Sequence, residues 1–208
     1  MLWAWNEIKN KWDTIEWKAK QTPGTAIIVG SGLSVQKEVE YPPCSLKIVQ
    51  NMAYQFVKPD IWIGMDKPKM FPQVFSTYDY PKICRGNMFD FEVMDTKVKL
   101  IPETYFMSMK IIPRESIFSA NIFSWTKNTL VPSVQLAIWM GYKKIAFHGV
   151  DLKGNYADGR KLLAKTQKLL NQEYIWLKWL NGECKKKGIQ LINLSGKDSR
   201  LSEFIDEN

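Results

Sequence analysis

Short runs of β-branched apolar residues, each ending in small or polar residues, recur along this chain and set its expected architecture. The first is 26–29, Ala-Ile-Ile-Val, which follows a Pro23-Gly24 breaker and runs into Gly30-Ser31-Gly32-Leu33-Ser34. A wholly apolar run of this kind predicts a strand buried on both faces, as in a parallel sheet. Gly30 and Gly32 carry no Cβ, so the backbone can turn sharply and come close to a ligand. A helix is expected to follow, its first N–H groups open to an anion. Residues 45–51, 61–65 and 82–85 predict further strands, with a short helix or turn over 53–57 and a loop over 67–80. Residues 131–140 read as an apolar helix that Gly141 ends, and 143–150 as a strand that stops at Asp151. Residues 158–187 predict a long helix or helix pair closed by Gly188, followed by a strand over 189–194 and a terminal turn over 202–206.

At the N-terminus the period changes. Leu2, Trp5, Ile8, Trp12 and Ile15 step by three or four residues, which predicts an amphipathic helix within 1–22. Packing of this Trp-rich helix on the domain, or on a second subunit in a homodimer, is its expected use. The stretch 87–120 is irregular and rich in proline, with strand-like patches at 97–102 and 105–112. It is the expected place for a lid or an acceptor-binding insertion. Strands alternating with helices give an α/β, Rossmann-like three-layer fold with a mostly parallel central sheet, 1–208 forming a single domain.

Composition narrows the class. With 208 residues, 45% hydrophobic and 24% charged, the chain is globular. No apolar run approaches the roughly 20 residues needed to span a bilayer. The start lacks the regions of a signal peptide. Cys44, Cys84 and Cys184 are odd in number and far apart, which supports neither a disulfide framework nor a zinc site. A cytoplasmic setting is expected. The net charge of +8 could attract nucleotides, anionic glycans, nucleic acid or a membrane surface, or serve only solubility on solvated helix faces, and no nucleic-acid module accompanies it.

Candidate chemistry lies at the predicted strand ends, where open parallel sheets bind ligands. These are the Gly30-Ser31-Gly32 loop with Ser34, then Asn51, Asp66 and Asp151. Asp66 and Asp151 suit a magnesium site or ribose hydroxyls, because hard cations prefer carboxylate oxygens. The alternative for both is an ordinary capping carboxylate. His148 is the only histidine, and it sits inside a strand run, as a core histidine would. Asn128 and Thr129 belong to a polar cluster, with Asn121, Ser124 and Thr126, that precedes the 131–140 helix and could meet phosphate or sugar. Tyr156 and Arg160 follow Asp151 and could reach a phosphate. Serine, histidine and acid do not stand at hydrolase spacings.

The segments 27–34, 47–51, 59–66 and 141–151, ending in Gly-Val-Asp, occur in an order that resembles one superfamily. It includes archaeal 6-hydroxymethylpterin diphosphokinase, the flagellin-modifying motility-accessory proteins and the bacterial Rossmann-like sialyltransferases, and small phage-borne members are similar in length. The similarity covers roughly residues 25 to 152, with a weaker echo in Asn193-Leu194-Ser195 and Ser199-Arg200-Leu201. It implies that 30–34 holds a nucleotide's phosphate or ribose, with Asn51, Asp66 and Asp151 nearby. Two departures stand out. Sialyltransferases of this type carry Asn-Gly-Pro-Ser where this chain has Ser31-Gly32-Leu33-Ser34, and no histidine follows His148 to match their catalytic one.

Three functions are compatible with these residues. One is a transferase that uses a nucleotide-activated donor, a nucleotide-sugar with a small-molecule or glycan acceptor, in which Asp66 or Asp151 replaces the histidine. The second is diphosphokinase-like phosphoryl transfer from ATP, with magnesium on the same two aspartates. The third is a non-catalytic nucleotide-binding or assembly protein on the same fold. No organic cofactor is indicated.

Overall fold

The apolar run at the start of the chemistry-bearing region is a strand, Thr25–Val29, with all five residues buried. A computed structural model of the chain describes residues 2–6, 9, 11–15, 24–66, 70–76, 80–86, 104–110, 114–118, 123–124 and 128–206. Its elements are β1 (Leu2–Asn6), β2 (Lys11–Ile15), β3 (Thr25–Val29), β4 (Leu46–Gln50), β5 (Ile61–Gly64), α1 (Pro72–Phe75), β6 (Lys82–Gly86), β7 (Thr104–Lys110), β8 (Phe123–Ser124), α2 (Leu130–Trp139), β9 (Lys144–His148), α3 (Ala164–Lys186) and β10 (Gln190–Asn193). They build one sheet in the order β10-β9-β3-β4-β5-β6-β7-β1-β2, with β8 beside β7. Every pairing from β10 to β7 is parallel, while β1 pairs antiparallel with both β7 and β2. The fold is α/β and Rossmann-like.

Strand order reverses at β3. The chain adds β4, β5, β6 and β7 on one side, then returns to lay β9 and β10 on the other. The crevice beyond the carboxyl ends of β3 and β9 is therefore the topological switch point, where such sheets bind ligands.

Alternation along the strands feeds two cores. Ala26, Ile28, Ile48, Ile145 and Phe147 pack under α2 and α3, against Val131, Val134, Leu177 and Leu180. Ile27, Val29, Val49 and Ala146 face the other way, against Val35, Ala53 and the rings of Tyr41 and Tyr54. Further along this second face, α1 covers Trp62 and Cys84 with Phe71 and Val74. The second layer is thin, made of 3-10 turns and α1. The helix expected after the glycine loop is a single 3-10 turn, Leu33–Gln36.

Residues 2–15 correct the helix expected within 1–22. Residues 2–6 and 11–15 of this stretch are the antiparallel strands β1 and β2, in which Trp5 is the Cα partner of Trp12 and Trp3 of Thr14. A three-to-four-residue spacing of five large residues can coincide with two short strands joined by a turn, and tryptophan and threonine favour strands. The dimer expected through that helix loses the element that was to carry it, and residues 16–22 lie outside the described ones. The insertion expected at 87–120 is also revised. Residues 104–110 are β7, an interior strand between β6 and β1, and residues 87–103 lie outside the described residues.

The long C-terminal helix is continuous from Ala164 to Lys186, and Gly188 ends it at φ +66. Leu163 precedes it and is 68% exposed, and Ile175 on its outer face is 57% exposed, so neither belongs to the core. No helix among the described residues is long and apolar enough to cross a membrane.

Candidate functional site

A cavity of about 340 Å³ opens at the switch point, a size in the range of small-molecule sites. Its floor is made of strand ends: Gly30, Ser31 and Gly32 after β3, Gln50 and Asn51 after β4, Met65 and Asp66 after β5, and Gly149 to Asp151 after β9. Asn128, Thr129 and Leu130 close one side at the start of α2. The loop Leu152–Tyr156 and the α3 residues Thr166, Leu169, Leu170 and Glu173 close the other. Nine of the residues singled out in the sequence line this cavity; Ser34, His148 and Arg160 do not.

The glycine loop is built for backbone contact with β9. Gly30 N–H donates to His148 O and Gly32 N–H to Gly149 O, both at 2.8 Å. A Cβ at Gly32 would stand 2.6 Å from Asp151 Oδ2, and one at Gly30 would meet the carbonyl of Gly149 at 2.5 Å. A Cβ at Gly149, which adopts φ +70, would in turn clash with the carbonyl of Gly30. The glycines thus allow two chain segments to touch, and their N–H groups are spent within the protein. The anion at the start of the following turn is internal as well. Ser34 donates to Asp151 twice, from its N–H to Oδ2 at 3.0 Å and from its hydroxyl to Oδ1.

Asp151 is held from behind. Its carbonyl accepts from Arg200 N–H at 3.1 Å. Ser199 Oγ donates to Val150 O at 2.8 Å, and Ser195 Oγ accepts from Val150 N–H at 3.0 Å. The serines of 193–195 and 199–201 therefore fasten the loop that carries Asp151. Leu152 follows in the left-handed region at φ +57 with its side chain buried, a conformation that needs surrounding structure to maintain it.

On the opposite wall, Asn51 also adopts positive φ, at +45, which asparagine tolerates better than most residues. That turn brings its amide to Thr129: Asn51 Nδ2 donates to Thr129 Oγ1 at 3.0 Å, and the hydroxyl returns to Oδ1 at 3.2 Å. Trp62 Nε1–H fixes the Asn51 carbonyl at 2.9 Å. Below this pair, Gln50 Nε2 donates to Ser133 Oγ at 2.8 Å, and Ser133 Oγ donates to Thr129 O at 2.7 Å. Asn128 Oδ1 accepts from Val131 N–H at 3.2 Å, capping α2. The start of α2 is thereby tied to the ends of β4 and β5.

His148 belongs to the core. Its Nε2 lies 3.1 Å from Ser34 O, and its Nδ1 2.7 Å from the Tyr41 hydroxyl. A carbonyl only accepts, so Nε2 carries the proton and Nδ1 accepts from Tyr41 in the neutral ring. Burial lowers the His148 pKa, and it raises that of Tyr41 to about 12. Tyr156 also titrates above its ordinary value, first through burial, with Arg160 opposing and Glu173, Asp158 and Asp66 adding to it. The Arg160 guanidinium lies 4.8 Å from the Tyr156 ring centroid, and its Nε is 2.7 Å from Asp158 Oδ2. Arg160 thus supports Tyr156 from behind.

The two aspartates expected to share magnesium are not presented as a pair. Both oxygens of Asp151 already accept from Ser34, whereas Asp66 is exposed at the mouth. Among the described residues no group of three His, Cys, Asp or Glu side chains could hold a metal ion. This donor set does not fit a two-aspartate magnesium site. Asn121 and Thr126 of the polar cluster lie outside the described residues.

The sequence reading missed Glu173. It is 6% exposed, yet it lines the cavity, and burial pushes its carboxyl up to about 8. The signal was present: Trp176, Leu177, Leu180 and Cys184 form the buried stripe of α3, the half-buried Leu169 and Leu170 lead into it, and position 173 falls on it. A carboxylate on an apolar stripe needs an explanation.

No family model matches the chain, and neither does any curated protein sequence. Solved structures do share its fold. The sialyltransferase CST-II in complex with a trisaccharide acceptor and CMP matches with a TM-score of 0.56 at 19% identity, over 88% of this chain and 85% of that one. The sialyltransferase CstII from Campylobacter jejuni with the substrate analogue CMP-3FNeuAc matches with a TM-score of 0.56 at 20% identity, over 88% and 86%. The same enzyme with cytidine-5′-monophosphate gives 0.53 at 18% identity, over 89% and 85%. At these identities the likeness is one of fold.

Proposed function

We propose that this protein is a transferase acting on a nucleotide-activated sugar, with a small-molecule or glycan acceptor. The observation that carries this reading is the cavity at the β3/β9 switch point, walled by strand-end polar groups, in a fold shared with a sialyltransferase that binds CMP. The cavity offers neutral hydrogen-bonding groups from Ser31, Asn51 and Thr129, suited to ribose and sugar hydroxyls. Lys153 and the Tyr156 hydroxyl stand on the loop after β9, where they would meet the leaving phosphate. Holding donor and acceptor together supplies much of the rate in such a site. Cytidine is the first nucleotide to test, because the fold neighbours bind it. With no fitting two-aspartate site, no step is assigned to a metal.

The test is a thermal-shift series with CMP, UDP, GDP, ATP and pterins, each with and without magnesium. The expected result is a rise in melting temperature with CMP or UDP that magnesium leaves unchanged. A magnesium-dependent shift with ATP alone would move the assignment to phosphoryl transfer. Silence towards every nucleotide would leave a non-catalytic protein on a transferase fold.

A further inference from the structure

Glu173 has no visible duty in holding the fold together. Thr166, Leu169, Leu170 and Glu173 follow the i, i+3, i+4, i+7 rule and form one face of α3 towards the cavity. The same stripe continues into buried Trp176, Leu177, Leu180 and Cys184. Among the described residues no hydrogen bond or ion pair reaches the Glu173 carboxyl. Packing alone would be met by leucine or glutamine at lower cost, since a buried carboxyl without a partner is unfavourable. Such groups gather where chemistry is done.

The other titratable groups do not fill the role of a base. His148 lies outside the cavity lining, with both ring nitrogens bonded to Tyr41 and Ser34. Asp151 is engaged by Ser34 at both oxygens. Asp66 stands exposed at the mouth, in water. Resting on the transferase reading above, we propose that Glu173 is the general base that takes the proton from the acceptor hydroxyl as its oxygen attacks the anomeric carbon of the donor. The acceptor O–H bond breaks and its proton passes to a Glu173 carboxylate oxygen. A bond forms between the acceptor oxygen and the anomeric carbon. The anomeric C–O bond to the phosphate breaks, and its electron pair leaves with the nucleotide as a phosphate anion.

The environment of Glu173 fits that step. Burial raises its carboxyl to about 8, so its conjugate base is a stronger proton acceptor than an ordinary carboxylate and ionises near working pH. The groups around it are few. Asp66, Asp151, Lys153 and Tyr156 line the same cavity from the strand ends and the loop after β9, with Arg160 and Asp158 close to Tyr156. From α3, Glu173 is the only charged residue among the described lining.

The experiment uses the full chain with CMP-N-acetylneuraminic acid as donor and water as acceptor, from pH 6 to 9.5, and follows CMP binding by calorimetry. The wild-type rate should climb with pH and level off above about 8. Glu173→Gln should lose about a hundredfold or more in kcat, as expected for removal of a general base. It should bind CMP within about threefold of wild type and lose the pH dependence, and Glu173→Asp should keep an intermediate rate. Circular dichroism of both variants reports folding separately. If Glu173→Gln turns over the donor at the wild-type rate with the same profile, the base is another group, and the transferase reading survives. CMP binding by the wild type without donor turnover overturns the inference and leaves nucleotide binding standing. Absence of both binding and turnover overturns the two together.

Discussion

Asp151 lies in the floor of the cavity and Glu173 on one side of it, and the protein treats these two carboxyls in opposite ways. Asp151 is wrapped: Ser34 satisfies both of its oxygens, Arg200 holds its carbonyl, and Ser195 and Ser199 pin the preceding loop. Glu173 sits on the buried face of α3 at the edge of the cavity, and among the described residues no hydrogen bond or ion pair reaches its carboxyl. A bonded carboxylate stabilises a junction. An unbonded buried one destabilises the fold and keeps reactivity, which is the usual trade at functional sites. The difference separates a residue that shapes the cavity from one suited to act in it.

The largest expected effect is on the Glu173 side, and its sign is unusual. The carboxyl titrates near 8 in the folded chain against an ordinary value of 4.5. Between those values the native state binds more protons than the unfolded state, so stability falls as pH rises through the window. At about 1.4 kcal/mol per unit, the full span costs about 4–5 kcal/mol. Glu173→Gln removes that cost. Urea unfolding should find the variant within about 1 kcal/mol of wild type at pH 5, and several kcal/mol more stable at pH 9. If wild type and variant keep a constant difference from pH 5 to 9, Glu173 is not a buried neutral acid at low pH, and the contrast between the two carboxyls collapses.

Asp151→Asn should act in the other direction. The amide oxygen can accept from the Ser34 N–H while its N–H₂ faces the Ser34 hydroxyl, which must then accept instead of donating, so both bonds to a charged carboxylate are replaced by weaker neutral ones. Bonds to charged groups contribute about 1.5–3 kcal/mol each, and a loss of about 2–3 kcal/mol is expected from denaturant unfolding. The same variant should weaken CMP binding, because the loop that lines the cavity hangs from this junction. Unchanged stability would show that the Ser34–Asp151 contact does not hold the glycine loop to β9.

Much of this arrangement could be read from the sequence, for a physical reason. The strands β3, β4, β5 and β9 are β-branched apolar runs buried on both faces, so each stops visibly where a glycine or polar residue appears, and those stops are the cavity floor. Partnership was not visible in the same way. Ser34 and Asp151 are 117 positions apart, and nothing local in either segment shows that a side chain, rather than a ligand, occupies the start of the 33–36 turn. Glu173 was legible in principle as a charge on an apolar stripe, but a helix of 23 residues with many lysines draws the eye to its leucines. The pair β1 and β2 was misread because two strands of five residues can place large side chains at helical intervals.

The smallest effect tests how the wrapped carboxylate divides its two bonds. Ser34→Ala removes the hydroxyl donor to Oδ1 and leaves the backbone N–H on Oδ2, as well as the Ser34 carbonyl that receives His148. Loss of one side-chain bond to a carboxylate, partly made up by water at a half-buried site, should cost about 1 kcal/mol. Combined with Asp151→Asn, the two losses should not add. If the hydroxyl acts only through Asp151, a double-mutant cycle should return a coupling of about 1 kcal/mol. Additive losses would mean that the hydroxyl and the carboxylate stabilise the chain independently, and that beyond the β3–β9 ladder the N–H bonds of Gly30 to His148 O and of Gly32 to Gly149 O suffice to join the two strand ends at the cavity floor.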